Sequence, residues 1–453
     1  MTMPQSAAIR AENRGAQLYR MLWRWHFYAG LLCIPFVLLL AATGSIYLFK
    51  PQIEAAIDRP FANLSAPGPL ATPSAQVAAA VAAVPGSQLS AYQLPRAPSD
   101  AVQVIVSADG DRTRVYLHPH TSEVLKVVAE EARFMAVVRT IHGELLMGDR
   151  GSLLVEIAAS WAIVMIVTGL YLWWPRNARG LAGVLWPRLM QGPRTFWRDL
   201  HAVTGMWISG LALVLLLSGL PWTQVWGDAF KKVRAATGLV AAEQSWTQGR
   251  AAEHAGHAHH DHEQMAAIDA PADSISIDAI VETGRRFAFA APVVIQPPSG
   301  KIPAWVVRSQ SQNHTVRREA FLDPAHGATL FMRDFSDRHV VDQAVMIGIS
   351  MHEGQLFGWL NQALGLIAAL GLATLSVSAF VMWRLRKPAG ALGAPPAIPD
   401  ARIGAGLGGL IFVFAIALPM LGATLVAIAL IEVVVLRRIA PVRRWLGLRA
   451  ADA

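Results

Sequence analysis

The chain has 453 residues, 54% of them hydrophobic and only 15% charged, with a mean hydropathy of +0.38. A soluble domain carries about 25% charge, so the composition excludes an ordinary soluble enzyme and indicates a polytopic membrane protein. The net charge of +8 flanks apolar runs instead of forming one patch, which argues against nucleic acid; the single cysteine, Cys33, excludes an internal disulfide, a CxxCH haem attachment and a thiolate-held iron–sulfur cluster.

Residues 1–49 combine a basic N-terminus (Arg10, Arg14, Arg20, Arg24) with a first apolar span, longer than the roughly 7–15 residues of a signal-peptide core. Residues 50–135 are Pro- and Ala-rich at first. They then alternate in VQVIVSADGDRTRVYLHPHTSEVL, which predicts a short helix over 74–84 and strands turning at Asp109-Gly110, a small α+β domain. Residues 136–175 hold the second span, and the loop 176–195 carries Arg176, Arg179, Arg188 and Arg194. The third span occupies 196–224. A second α+β domain follows over 225–345, with a polar insert at 254–262, and the fourth span lies in 346–387. Residues 402–436 form an apolar run too long for one span, with Pro419 and Gly422 near its centre. A hairpin keeps the arginines of 437–453 on the same side as Arg384, Arg386 and Arg402, whereas one long helix would export them. The expectation is six spans, both termini cytoplasmic and the two α+β domains outside. Within the run, GAGLGG (Gly404–Gly409) matches GxGxxG, but no strand precedes it, so close helix packing is the better reading.

The chain contains an internal repeat. His26, Gly30 and Gly44 match His201, Gly205 and Gly219 at identical spacing, and His142, Leu146, Gly148, Trp173 and Arg176 match His352, Leu356, Gly358, Trp383 and Arg386. VYLHPHTSEVL (115–125) parallels AFLDPAHGATL (320–330). Two copies with the same orientation are parallel repeats about an axis along the membrane normal. Equivalent histidines then face each other at equal depth, His26 with His201 near the cytoplasmic side and His142 with His352 near the outer side. Two opposed imidazole pairs suit two bis-histidine b-type haems in a four-helix bundle, one axial ligand from each repeat. A membrane histidine taken alone is more often an interhelical hydrogen-bonding group; the repeat-equivalent set of four favours haem.

Other groups invite weaker readings. Arg24 and Arg198, beside His26 and His201, are placed to pair with haem propionates, or simply to set topology. The tract of His254, His257, His259, His260 and His262 has the composition of a loose metal collector. No nucleophile–base constellation or phosphate loop is evident.

The outer turns (HPHTS, DPAHG), the His-x3-Gly helices and the HGELLMG and WWP segments resemble PepSY domains and the PepSY-associated transmembrane family of iron-regulated inner-membrane proteins, over roughly residues 18–388. The first turn departs from the family's pattern, with His118 and Ser122 where Asp and Gly are usual; the second keeps Asp323 and Gly327. The resemblance implies an α-helical inner-membrane protein of a bacterium, with two PepSY-like periplasmic domains and a C-terminal hairpin outside the family core. It implies haem b on His26, His142, His201 and His352, and reduction of a ferric siderophore or other ferric chelate. Since no flavin or nicotinamide domain is present, electrons are expected from a cytoplasmic reductase or a membrane quinol. The rival expectations are a non-redox PepSY module that binds peptides or regulates a protease, and a metal-uptake accessory using the histidine tract.

Overall fold

The structure is a computed structural model that describes residues 5–176, 180–239, 275–300, 302–396 and 404–448; the tract His254–His262 lies outside them. In chain order the first helices are α1 (Gln5–Leu48), α2 (Lys50–Asp58), α3 (Pro73–Ala83), α4 (Phe134–Glu144), α5 (Asp149–Trp173), α6 (Pro193–Gly219) and α7 (Gln224–Ala236). The later ones are α8 (Ile277–Arg286), α9 (Val340–His352), α10 (Trp359–Arg386), α11 (Ala405–Ala417), α12 (Pro419–Ile431) and α13 (Ala440–Leu446). The strands are β1 (Gln88–Gln93), β2 (Val102–Ala108), β3 (Asp111–Leu117), β4 (Val124–Ala129), β5 (Val293–Gln296), β6 (Trp305–Ser309), β7 (Glu319–Leu322) and β8 (Thr329–Arg333). They divide into a helical unit (Met1–Ser45, Ile141–Lys232, Ala363–Ala453) and a sheet unit (Ile46–Thr140, Val233–Gln362).

Five helical segments are long and apolar enough to cross a membrane: Gly15–Leu48, Asp149–Trp173, Pro193–Trp222, Trp359–Arg386 and Pro419–Leu436. Helices suit this role because every backbone polar group is satisfied within the segment. The expected sixth span is α11, whose 13 residues cover only about 20 Å, short of a roughly 30 Å hydrocarbon core. Five candidates therefore stand where six were expected among the described residues.

The hairpin is nonetheless present. The chain breaks at Leu418 (φ −128°, ψ 84°) between α11 and α12, and Pro419 cannot continue the first helix. Added at Gly422, a Cβ would stand 2.9 Å from the Ala415 carbonyl oxygen, so glycine is required where the arms meet. The Leu392 amide donates to the Trp445 carbonyl at 2.8 Å, which joins the two feet. The turn packs Leu418 and Leu421 on Ile163 and Leu220. Trp161 Nε1 donates to Thr424 and Trp226 Nε1 to the Ala417 carbonyl, fastening the arms to α5 and α7.

In the sheet unit the two α+β segments, expected as separate domains, build one eight-stranded antiparallel sheet of order β4-β3-β2-β1-β5-β6-β7-β8. The joint is β1 on β5, Tyr92 opposite Ile295 and Gln93 opposite Val294. Edge strands template further pairing, and here each half covers the other's exposed first strand. Period-2 alternation sends Tyr92, Val104, Val115, Leu117, Ile295, Val307 and Leu322 to the face packed on Ala80 and Ile280, from α3 and α8. The Asp109-Gly110 turn joins β2 to β3 with φ of 51° and 90°, as the sequence predicts.

The opposite face carries charge, closed on itself. Buried Arg114 donates to Glu130, Gln93 and Gln103, and Arg133 links Glu130 to Glu54. Burial alone would raise the Glu130 carboxyl, but the Arg114 guanidinium overrides it and holds the group at about 2. At the repeat-equivalent place of Arg114 stands Glu319, shared by Arg308, Arg333 and Arg338. The matched positions of β3 and β7 thus carry opposite charges.

The departing turn has a physical account. Asp323 Oδ1 accepts the Ala325 amide at 2.7 Å, and His118 Nδ1 accepts the His120 amide at 3.2 Å. The imidazole stands in for the carboxylate as turn acceptor. Ser122 takes φ 57° where Gly327 takes 68°, so the geometry survives with a strained residue in place of glycine.

Candidate functional site

His26 sits on α1 and His201 on α6, each at the basic end of an apolar run, with Arg24 and Arg198 close before them. Their ring centroids are 6.4 Å apart and their planes nearly perpendicular, at 84°. His201 Nδ1 lies 3.1 Å from the Leu375 carbonyl oxygen and 3.2 Å from Ser378 Oγ. A carbonyl only accepts, so Nδ1 carries the proton and Nε2 keeps its lone pair. His26 Nδ1 lies 3.0 Å from Thr168 Oγ1, and that hydroxyl donates to the Val164 carbonyl at 2.8 Å. The Thr168 oxygen therefore accepts from Nδ1–H, and His26 takes the same tautomer.

Two lone-pair acceptors cannot hydrogen-bond to each other, and among the described residues neither ring has a further hydrogen bond. They can share an electrophile. Two metal–imidazole bonds of roughly 2 Å, plus the half-widths of two rings, give about 6 Å between the centroids of axial ligands on one ion. The observed spacing meets that geometry. Gly169 makes room for the ring: a Cβ there would lie 3.2 Å from His26 Cε1.

His142 lies at the opposite end of α1 and repeats the pattern. Its Nδ1 is 2.9 Å from Thr43 Oγ1, whose hydroxyl donates to the Leu39 carbonyl at 2.8 Å. Gly44 gives it space, with a Cβ there 3.2 Å from His142 Cε1. His352, the expected partner, is the last residue of α9 and belongs to the sheet unit. The structure thus brings His26 and His201 together within the helical unit and sets His142 against α1.

The arginines are otherwise engaged. Arg24 donates to the carbonyls of Pro395 and Gly447, tying α1 to both feet of the hairpin. Tyr28 adds a bond to the Leu446 carbonyl. Arg198 is held by Asp199, which is 1% exposed and also receives both arms of Arg188. The bidentate Arg188 contact secures the 180–192 loop to α6.

Sequence reasoning missed the hydroxyls. Thr168 and Ser378 stand at equivalent positions of α5 and α10, and Thr43 and Ser218 at equivalent positions of α1 and α6. A hydroxyl at matching register in two apolar runs is a readable signal. Also missed was Glu156, 1% exposed on α5, whose carboxylate accepts the Val225 and Trp226 amides at 2.8 and 2.9 Å. A buried anion thereby caps α7 from another helix, where the macrodipole favours it. Among the described residues no group of three or more His, Cys, Asp or Glu side chains is placed to hold a metal ion by itself.

No curated relative matches the chain. The family model described as the PepSY-associated TM region matches residues 23–386, taking in all four histidines and ending before the hairpin. The chain belongs to the PepSY-associated transmembrane family.

Proposed function

We propose that the protein is a b-type di-haem carrier of the bacterial inner membrane that passes electrons outward to a ferric chelate such as a ferric siderophore. The supporting observation is the His26/His201 pair, two imidazoles with Nδ1–H engaged and centroids 6.4 Å apart. Among the described residues no third metal-ligating side chain joins the pair, and a porphyrin would supply the further donor atoms that two imidazoles leave unfilled on an iron ion. When bound, haem supplies one-electron chemistry; the chain fixes tautomer, ring orientation and burial.

His26 and His201 would hold the first haem, and His142, set against α1 through Thr43, would be a ligand of the second. Thr168, Ser378, the Leu375 carbonyl and Thr43 keep the proton on Nδ1, so that Nε2 remains the donor atom. Donor electrons come from a cytoplasmic reductase or a quinol.

The test is a visible spectrum of the purified protein, oxidised and dithionite-reduced, with haem quantified. Two haems per chain with bis-histidine spectra are expected. His26→Ala and His201→Ala should abolish or convert the same one, and ferric-chelate reduction should stop in both variants. Protein lacking haem absorbance would leave the peptide-binding module as the reading.

A further inference from the structure

Arg386 closes α10. Its guanidinium carbon lies 5.3 Å from the ring centroids of both Trp23 and Phe27 on α1. Trp23 precedes His26 by three residues, so it occupies the same face one turn along, and Phe27 adjoins the histidine. The cation is therefore stationed one helical turn from the proposed axial ligand. Resting on ring faces occupies its π surface, and among the described residues it makes no hydrogen bond or ion pair. Its planar fork of N–H donors is left for an oxyanion.

The repeat explains why this arginine differs from its counterpart. The α6 positions equivalent to Trp23 and Phe27 are Arg198 and Ala202, a like charge and a methyl group. They offer Arg176 no platform. It rests instead over Tyr19 and Tyr171, at 4.9 and 4.5 Å, and donates to the Tyr171 carbonyl. Arg24 is committed to two carbonyls and Arg198 to Asp199. Of these four arginines Arg386 alone retains an unengaged fork.

We infer that Arg386 binds a carboxylate of the cofactor held between His26 and His201, a haem propionate. This rests on the haem reading. The same fork suits the phosphate of an anionic lipid, so the shared chemistry is oxyanion recognition and the experiment separates the sources.

The experiment is redox titration of the full-length, haem-loaded protein as wild type, R386Q, R386K, R24Q and R198Q, with phospholipid phosphate measured in each preparation. Loss of a cation beside the carboxylate favours ferric iron. R386Q should shift the Fe(III)/Fe(II) equilibrium of one haem about tenfold toward ferric, ~59 mV lower for a one-electron couple. R386K should shift it less, and stands in should R386Q fail to accumulate. R24Q and R198Q should leave both potentials in place. Unmoved potentials in R386Q and R386K, or a shift only in R24Q or R198Q, overturn the assignment. Unmoved potentials with lost phospholipid phosphate would make Arg386 a lipid anchor. Wild-type protein without haem would instead sink the reading beneath it.

Discussion

The helical unit and the sheet unit both carry residues at matched spacing along the sequence but treat their polar groups differently. In the sheet unit, equivalent positions keep geometry and exchange chemistry: Arg114 for Glu319, His118 for Asp323, Ser122 for Gly327. The principal charges there close on partners within the unit, as Arg114 does on Glu130 and Arg234 on Asp342. In the helical unit chemistry is held and one atom left over: histidine faces histidine, hydroxyls hold Nδ1, and Nε2 remains open. The sheet-unit pairs spend their charge on each other, whereas the two imidazoles keep the donor atoms that the proposed haem would use.

The sharpest way to break this comparison is to open a closed network. Arg114→Ala would leave the half-buried Glu130 with only the 3.5 Å Arg133 contact, so the cost stays below the about 3–5 kcal/mol of a wholly unpaired buried charge. Chemical denaturation should show that loss in the sheet unit while haem content of surviving protein stays unchanged. Loss of haem at equal protein would tie the sheet network to the site and collapse the distinction.

The next effect belongs to the half-open side. Thr168→Val keeps volume and removes the acceptor that fixes the His26 tautomer, and loss of such partners costs about 10–100-fold in metal affinity or activity. Haem retention on dilution should fall within that range, with global stability nearly unmoved. Retention equal to wild type would show that Thr168 merely ends a polar contact.

Acid offers a graded version of the first test. Burial, then the nearby cations Arg317, Arg338 and Lys50, push His314 well below its ordinary 6.5, so it folds neutral. Its contribution is present above 6.5 and fades as pH falls below it, because the unfolded chain takes up the proton. Glu130 adds a second loss, as pH drops from the ordinary carboxylate range through about 2. Stability against pH should decline in two steps, and His314→Gln should flatten the upper one.

Much of this was legible in the sequence. Apolar length marked the spans, and Pro419 with Gly422 marked the hairpin because helix breaking and close approach are local properties. The register of the repeat located His26 and His201, since equal spacing within two helices fixes equal depth. The β1–β5 joint was not legible, because edge pairing between distant segments leaves no local signature. Nor was the engagement of Arg24 with Pro395 and Gly447, since a guanidinium near a span end reads the same whether it meets a carbonyl, a carboxylate or a phosphate. The start of the short arm Ala405–Ala417 was not legible, because an apolar run reports hydrophobicity and not where the helix begins.

The smallest effect tests whether the sheet turns are interchangeable. Ser122 sits at φ 57°, which costs a side-chain-bearing residue of order 1 kcal/mol, and the equivalent Gly327 takes 68° without that cost. A Cβ at Gly327 would also stand 2.5 Å from Ile275 Cδ1, the end of a flexible side chain that must turn aside to admit it. Ser122→Gly should therefore stabilise the sheet unit modestly. The gain is about 1 kcal/mol or less, because glycine also raises the entropy of the unfolded chain. Gly327→Ser should destabilise by about 1 kcal/mol or more, chiefly from the positive φ, with the displaced Ile275 methyl adding to it. His118→Asp should be close to neutral, since either side chain presents an acceptor to the amide two residues on. Thermal unfolding of the three variants decides it: a large loss in Ser122→Gly or His118→Asp would mean that the first turn holds its side chains for something other than geometry, and that the sheet unit carries a site of its own.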